Sequence, residues 1–582
     1  MRRLAVVLLC GLLYSLPLSA TAQPPVAAPA SVQVAGAAQV GASEQVAIGV
    51  DLARSMGAYK PIGDWFGYDE SNYTTMQYGW QLLGELHDLS PVPVYIRAHH
   101  LFTSGDGVAS LKWSSTNVFT LDASGKPVYD FTILDQIFDE YRRAGVRPMV
   151  ELGFMPRDLA SGTGPYQLAY PNTIKGSVQS PPKDYAMWGE LVRRVTEHFV
   201  QRYGRAEVAT WYFEVWNEPD ISYWQGTPEQ YFKLYDYSVA GVRKALPNAI
   251  VGGPASTGPG SARASTFLRN FLDHCANDKS AATGGAIPLD FISFHPKGSP
   301  KFIAGGPGEV GHVRMGLANE LNAAANGFRV VAASAKYHGL PIILSEADPE
   351  GCAACSAKEN PANGYRNGPL YPAYTAVAMK ALADLAVESK VNLIGMVSWS
   401  FEFEGKPYFE GFRTLSTNGI DKPVLNVFRM AGFFSGERVM TTSSAQVAAD
   451  EIVKSGVRAQ PDVDAFATRD AHEAAVMLWN YADDAVPAAG AQITVKIVGI
   501  PMGVHRVLLE HFRIDETHSN AYNAWKAMGS PQTPTPEQYA KLKEAGQLEL
   551  LTSPQWLDVA GGSVTIATEL PREAISLLHL QW

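Results

Sequence analysis

The sequence predicts an α/β fold, a (β/α)8 TIM barrel followed by a C-terminal β-sandwich domain. Eight short apolar runs alternate with amphipathic stretches between residues 44 and 436, the pattern of repeated βα units. Two of these runs end in a glutamate shortly before a proline, at Glu218 and Glu346. In such barrels active groups come from the C-terminal ends of strands. From about residue 437 the pattern changes to runs at 473–481, 492–498, 505–512, 562–567 and 574–580 with turn residues between them, which reads as antiparallel strands.

Residues 1–22 read as a secretory signal peptide. Arg2 and Arg3 start it, an apolar stretch follows, and Ala20-Thr21-Ala22 supplies small residues for cleavage. The apolar run is too short to span a bilayer, which takes about 20 residues. No later segment is long and apolar enough to do so. Secretion or periplasmic export is the expectation. Residues 23–43 are mostly Ala, Pro, Val and Gln, carry no charged residue and read as a flexible leader.

The barrel strands are expected at 46–50, 94–98, 147–152, 210–216, 250–253, 290–295, 342–346 and 393–399. Between the second and third lies a helical pattern with Ile133, Leu134, Ile137, Phe138 and Tyr141 on one face, stopped by Gly145. On this count Glu218 follows strand 4 and Glu346 strand 7. Their spacing of 128 residues agrees, since a βα unit takes about 30 to 40 residues. The accessory domain, 437–582, contains an insertion at 520–551 in which Thr535 is placed to cap a short helix opened by Pro536.

The run Val208 to Trp216 is apolar and aromatic, as expected of a buried parallel strand, and it ends in Asn217-Glu218-Pro219. Pro219 restricts the residue before it and is expected to hold Glu218 extended. A carboxyl at the mouth of an apolar strand has a raised pKa and suits a general acid. Asn217 beside it can donate to a sugar hydroxyl. With Glu346 as a second strand-end carboxylate, the pair suits double displacement at an anomeric carbon: one protonates the leaving oxygen, the other attacks.

Net charge is −10, and more negative by two once Arg2 and Arg3 leave with the leader, which argues against nucleic acid as a partner. Cys352-Ala353-Ala354-Cys355 lacks the further ligands of a zinc site. In an oxidising compartment it is expected to close as a local disulfide, leaving Cys275 as a buried thiol. Nothing resembles a phosphate loop, a nucleotide site or a metal cage, so neither a cofactor nor a metal is expected.

Several motifs occur in a specific order: Ile96-Arg97-Ala98-His99, Val150 to Pro156, Phe213 to Pro219, Ile292-Ser293-Phe294-His295, Glu346-Ala347-Asp348-Pro349, and Asn418 to Pro423. Over roughly residues 60 to 555 the chain resembles glycoside hydrolase family 39, which holds β-xylosidases and α-L-iduronidases. The resemblance implies a retaining glycosidase acting on an oligosaccharide, with Glu218 as acid/base and Glu346 as nucleophile. The stretch from Arg513 to Pro531 looks like the β-xylosidase branch. His295-Pro296-Lys297-Gly298, Glu346-Ala347-Asp348-Pro349 and Phe412-Arg413-Thr414-Leu415 look like the iduronidase branch, where the matching Lys and Arg meet the sugar carboxylate. The physical alternative is that Lys297 and Arg413 pair with Asp348, Glu402 or Glu404. The reading adopted is a β-D-xylosidase releasing xylose from xylo-oligosaccharides. A uronidase is the alternative, and a non-catalytic carbohydrate-binding or export accessory protein is the alternative of another class. Arg97 is expected beside Glu346, keeping it ionised. His99 and His295 are expected to bond sugar hydroxyls, and Trp399 to floor the sugar pocket.

Overall fold

The computed structural model describes residues 45–166, 176–399 and 401–582. The expected signal peptide and leader lie outside the described residues. Strand β1 spans Gln45–Ala58, and the barrel strands are β2 (Trp65–Tyr68), β3 (Tyr95–Ala98), β4 (Arg147–Leu152), β5 (Tyr212–Val215), β6 (Ile250–Thr257), β7 (Phe291–His295), β8 (Pro341–Leu344) and β9 (Asn392–Trp399). They close in the order β8-β9-β2-β3-β4-β5-β6-β7, with every neighbouring pair parallel. The barrel is plugged by Trp65, Met149, Phe291, Ile343 and Val397, so it is a packed core, not a pore.

Local chemistry sets the helices between them. The helix Thr132–Ala144 buries Leu134, Ile137, Phe138 and Tyr141, and Gly145 ends it at φ 83°, a backbone angle that glycine adopts without a Cβ clash. Asp184 caps Tyr185–Tyr203 by accepting from the Ala186 and Met187 amides. Thr227 and Gln230 form a capping box at Pro228–Ala245. The expected helix after Thr535 is Pro536–Ala545, also with a capping box.

The accessory strands are β10 (Glu437–Ser443), β11 (Asp462–Arg469), β12 (Glu473–Tyr481), β13 (Ala491–Val498), β14 (Arg506–Ile514), β15 (Glu549–Asp558), β16 (Ser563–Leu570) and β17 (Ile575–Gln581). With β1 they form one nine-stranded sheet, β15-β14-β17-β12-β11-β10-β1-β13-β16. One face of its strands, including Ile48, Val476, Val495, Leu509, Ile566 and Leu578, meets in a single core, as in a sandwich. The other face of β12 and β17, with Met477, Trp479 and Leu577, belongs to the barrel's outer core.

One element differs from the sequence reading. Residues 46–50 were expected as barrel strand 1 but pair with β10 and β13 of the accessory sheet. The alternation of buried Val46, Ile48, Val50 and Leu52 is that of a strand with one buried face, which suits a sandwich and not a barrel. The first barrel strand is Trp65–Tyr68, too short and aromatic to stand out as a run. The strand numbers of the two glutamates are unaffected.

Candidate active site

Glu218 lies three residues beyond β5, and Glu346 two residues beyond β8. The turn after β5 is not extended: Trp216 has φ 69° and Glu218 φ 45°. Pro219 was expected to keep Glu218 extended. Instead the Glu218 amide donates to Ala255 O at 2.8 Å, and the Trp216 indole donates to Tyr223 O at 3.0 Å. These tertiary bonds hold a backbone conformation that non-glycine residues rarely adopt, as is common at active sites. After β8 the Ala347 amide donates to Val397 O at 2.9 Å, and Asp348 accepts from the Trp399 amide at 2.8 Å. Glu346 is thereby fixed from the C-terminal side by two anchored neighbours.

One carboxylate oxygen of Glu218 and one of Glu346 lie within 4.8 Å of each other, with a His295 nitrogen inside the same radius. Their environments differ. Burial, reinforced by the Glu346 charge, pushes Glu218 up to about 8. Burial also acts to raise Glu346, but His295, Lys297 and Arg97 outweigh it and bring that carboxyl down to about 2. His295 is itself pushed down to about 4 by burial, so at neutral pH the cations facing Glu346 are Lys297 and Arg97. The site therefore holds one protonated and one ionised carboxyl at the same pH.

Arg97, fully buried on β3, is the hub below the pair. It reaches Glu346 at 2.9 Å, Glu214 at 2.5 Å, Glu151 at 2.9 Å and Asn217 Oδ1 at 3.0 Å. Asn217 accepts from Arg97 through its oxygen, which leaves its NH2 as the donor end. Trp399 lies under the Arg97 guanidinium, 4.8 Å from ring centroid to Cζ. Gly67 makes room for that ring, since a Cβ there would come within 2.4 Å of it.

The two histidines are engaged within the protein. His295 has Nδ1 3.0 Å from Glu218 and Nε2 3.0 Å from Ser345 Oγ. His99 sits between Asp69 and Glu151. Burial acts to lower its pKa, but the two carboxylates raise it to about 9, so it is a cation at neutral pH. Neither ring offers a free nitrogen to a sugar hydroxyl, in contrast to the expectation.

Lys297 donates to Glu346 at 2.6 Å and to Asp348 at 2.8 Å. Arg413 is fully buried behind Asp348, which it meets at 2.5 Å, and it also meets Glu350 at 2.6 Å. Of the three partners considered from sequence, only Asp348 is used. Glu402 accepts from the Asn418 amide, and Glu404 from the Tyr78 amide. Glu350 in turn meets Arg366, which donates to the carbonyls of Cys352 and Cys355. Those cysteines are joined as a disulfide, and Cys275 is a buried free thiol.

Sequence reading passed over Asp69, Glu214, Ser345 and Glu350. Glu214 carried a usable signal, a charge in the middle of an apolar strand, which requires a buried partner. Asp69 and Glu350 lie in loops and carried none.

The sequence profile described as "Glycosyl hydrolases family 39" matches residues 96–556. The chain belongs to glycosyl hydrolases family 39. It is a glycoside hydrolase, and its substrates are oligosaccharides. Among its relatives, a family 39 "Beta-xylosidase" of Caldicellulosiruptor saccharolyticus is 29% identical over 434 residues, covering 72% of this chain and 77% of the relative. An "Alpha-L-iduronidase" of Homo sapiens is 25% identical over 499 residues, covering 80% and 69%. The crystal structure of a monomeric β-xylosidase from Caulobacter crescentus CB15 shares the fold, with a TM-score of 0.71 at 22% identity and coverage of 92% of this chain and 99% of that one. Among the described residues no helix of this family 39 chain is long and apolar enough to cross a membrane.

Proposed function

We propose that this chain is a retaining exo-glycosidase that releases β-D-xylose from xylo-oligosaccharides. The observation that carries the mechanism is the Glu218–Glu346 pair. Its oxygens approach within 4.8 Å, against about 5–5.5 Å between the carboxyl groups of retaining enzymes and about 6.5–9.5 Å in inverting ones. The protonated Glu218 gives its proton to the glycosidic oxygen as the ionised Glu346 forms a bond to the anomeric carbon and the C–O bond to the leaving group breaks. Glu218, now a carboxylate, takes a proton from water. That water attacks the anomeric carbon, and Glu346 leaves as the free carboxylate. Arg97 and Lys297 keep Glu346 ionised and orient it.

The choice of a neutral pentose is supported by the state of the two cations. Lys297 and Arg413 are already neutralised by Glu346, Asp348 and Glu350. A sugar carboxylate would have to compete with these buried pairs, whereas a pentose carries no charge at C5. A uronide is the second reading. It is favoured by Lys297 alone, whose side chain keeps 18% of its surface exposed beside Glu346. Export to the periplasm or medium, from the Arg2 to Ala22 segment, completes the proposal.

The test is kcat/KM on a panel of nitrophenyl glycosides. Fastest turnover is expected on the β-xyloside. Turnover of the iduronide or glucuronide with silence on the xyloside would replace the substrate and leave the two glutamates in their roles.

A further inference from the structure

We propose that the cleft between the barrel helix Leu317–Ala332 and the accessory-domain helix Ala449–Ser455 is the leaving-group site, and that it takes a saccharide bearing a carboxylate. This rests on the reading of Glu218 as the acid. The cleft has a volume of about 450 Å³, within the about 300–1,000 Å³ of ordinary small-molecule sites. Glu218, His295 and Lys297 line one end, and Asn319, Asn322 and Lys454 line the other.

Polarity follows from the chemistry. Glu218 protonates the departing oxygen, so whatever that oxygen carries must lie on the open side of Glu218. Glu218 borders this cleft and Glu346 does not. The sugar that bonds to Glu346 therefore sits inward, and its leaving partner lies along the cleft.

The far wall belongs to a different domain. The helix Ala449–Ser455 packs on Leu317–Ala332 and presents Val453 and Lys454 to the cleft. Asn319 and Asn322 are exposed amides suited to sugar hydroxyls. The Asn322 oxygen already accepts from Asn326 at 2.7 Å, which leaves its NH2 as donor. Charge then sets the class of ligand. Among the described lining residues the carboxyl is that of Glu218, which is protonated at neutral pH. Lys297 is paired with Glu346 and Asp348. Asp450 and Glu451 share the helix of Lys454 but do not line the cleft. Among the described residues that line the far end, Lys454 is the cation and none is an acid. A uronic acid at the leaving position answers that charge.

The test uses the full chain and two disaccharides that share the glycone turned over fastest in the nitrophenyl panel. One has a neutral second sugar, the other a uronic acid. The readout is the ratio of kcat/KM, acidic over neutral. In Lys454→Ala this ratio is expected to fall about tenfold, the loss of one charge-assisted hydrogen bond. Lys454→Glu should lower it further, and Lys454→Arg should restore it. The exposed position makes misfolding a poor explanation for a change in a ratio. An unchanged or increased ratio in Lys454→Ala overturns the assignment while leaving the catalytic reading intact. A wild-type chain that hydrolyses neither the panel nor the disaccharides overturns both.

Discussion

Lys297 Nζ lies 2.6 Å from Glu346 Oε2 and 2.8 Å from Asp348 Oδ2. The counter-charge of the nucleophile is itself anchored, because Arg413 holds Asp348 and Glu350 on the far side. Arg366 ties Glu350 to the carbonyls of the disulfide loop. A line of alternating charges thus runs from Glu346 to Cys352–Cys355 through the loop after β8. Each charge is buried only because its neighbours neutralise it.

If Glu346 is the nucleophile, Glu346→Ala should lose turnover by orders of magnitude and regain part of it with azide. Azide attacks from the vacated face and gives the glycosyl azide of inverted configuration. Product stereochemistry by NMR checks this. Absence of rescue by any small anion would remove Glu346 from that role.

The pH profile of kcat/KM follows from the two carboxyls. Glu346, held at about 2, must be ionised, so activity falls only as the pH drops towards that value. Glu218, raised to about 8, must be protonated, so activity falls as the pH rises through about 8. In Lys297→Met the acidic limb should move to higher pH, because one of the cations that stabilise ionised Glu346 is gone. The alkaline limb should also move up, since Lys297 lowers the Glu218 pKa and its loss favours the protonated acid. An acidic limb that stays in place would show that Lys297 does not tune the nucleophile.

Glu218 also costs stability. Its folded pKa lies above its unfolded value of about 4.5, so folding takes up a proton, and the cost grows as the pH rises from about 4.5 to about 8. Glu218→Gln removes that cost. Its Tm should exceed that of the wild type at pH 8 and approach it at pH 5, while turnover of substrates with poor leaving groups falls about 100- to 10,000-fold. Calorimetry at the two pH values decides it, and an equal Tm difference at both would contradict the linkage.

Arg413→Met should destabilise the fold by up to about 3–5 kcal/mol, because it removes the cation shared by Asp348 and Glu350 and leaves them only Lys297 and Arg366. Urea unfolding measures this directly. A stable variant that loses turnover of uronides alone would instead place Arg413 at the sugar.

Much of this protein was legible in its sequence. Strand-ending motifs are local: an apolar run, a carboxylate and a proline announce a strand mouth wherever they occur. Asn217-Glu218-Pro219 and Glu346-Ala347-Asp348-Pro349 therefore marked the site, and the spacing of βα units placed them on strands 4 and 7. The caps at Thr535 and Gly145 and the pairing of Cys352 with Cys355 were legible for the same reason, since each joins residues close in the chain.

What the sequence could not determine was partnership across the fold. Residues 46–50 read as one more barrel strand, but their alternation is completed by β10 and β13, hundreds of residues away. Lys297 and Arg413 were recognisable as cations near the site. Whether they face a sugar or a protein carboxylate depends on Asp348 and Glu350, which only the closed loop after β8 brings to them. The left-handed turn at Glu218 likewise overrides the preference imposed by Pro219, because the bond to Ala255 ties that turn to the neighbouring strand β6. Local propensity decides which elements form. Burial of charge, and the partners it requires, is decided only when distant elements meet.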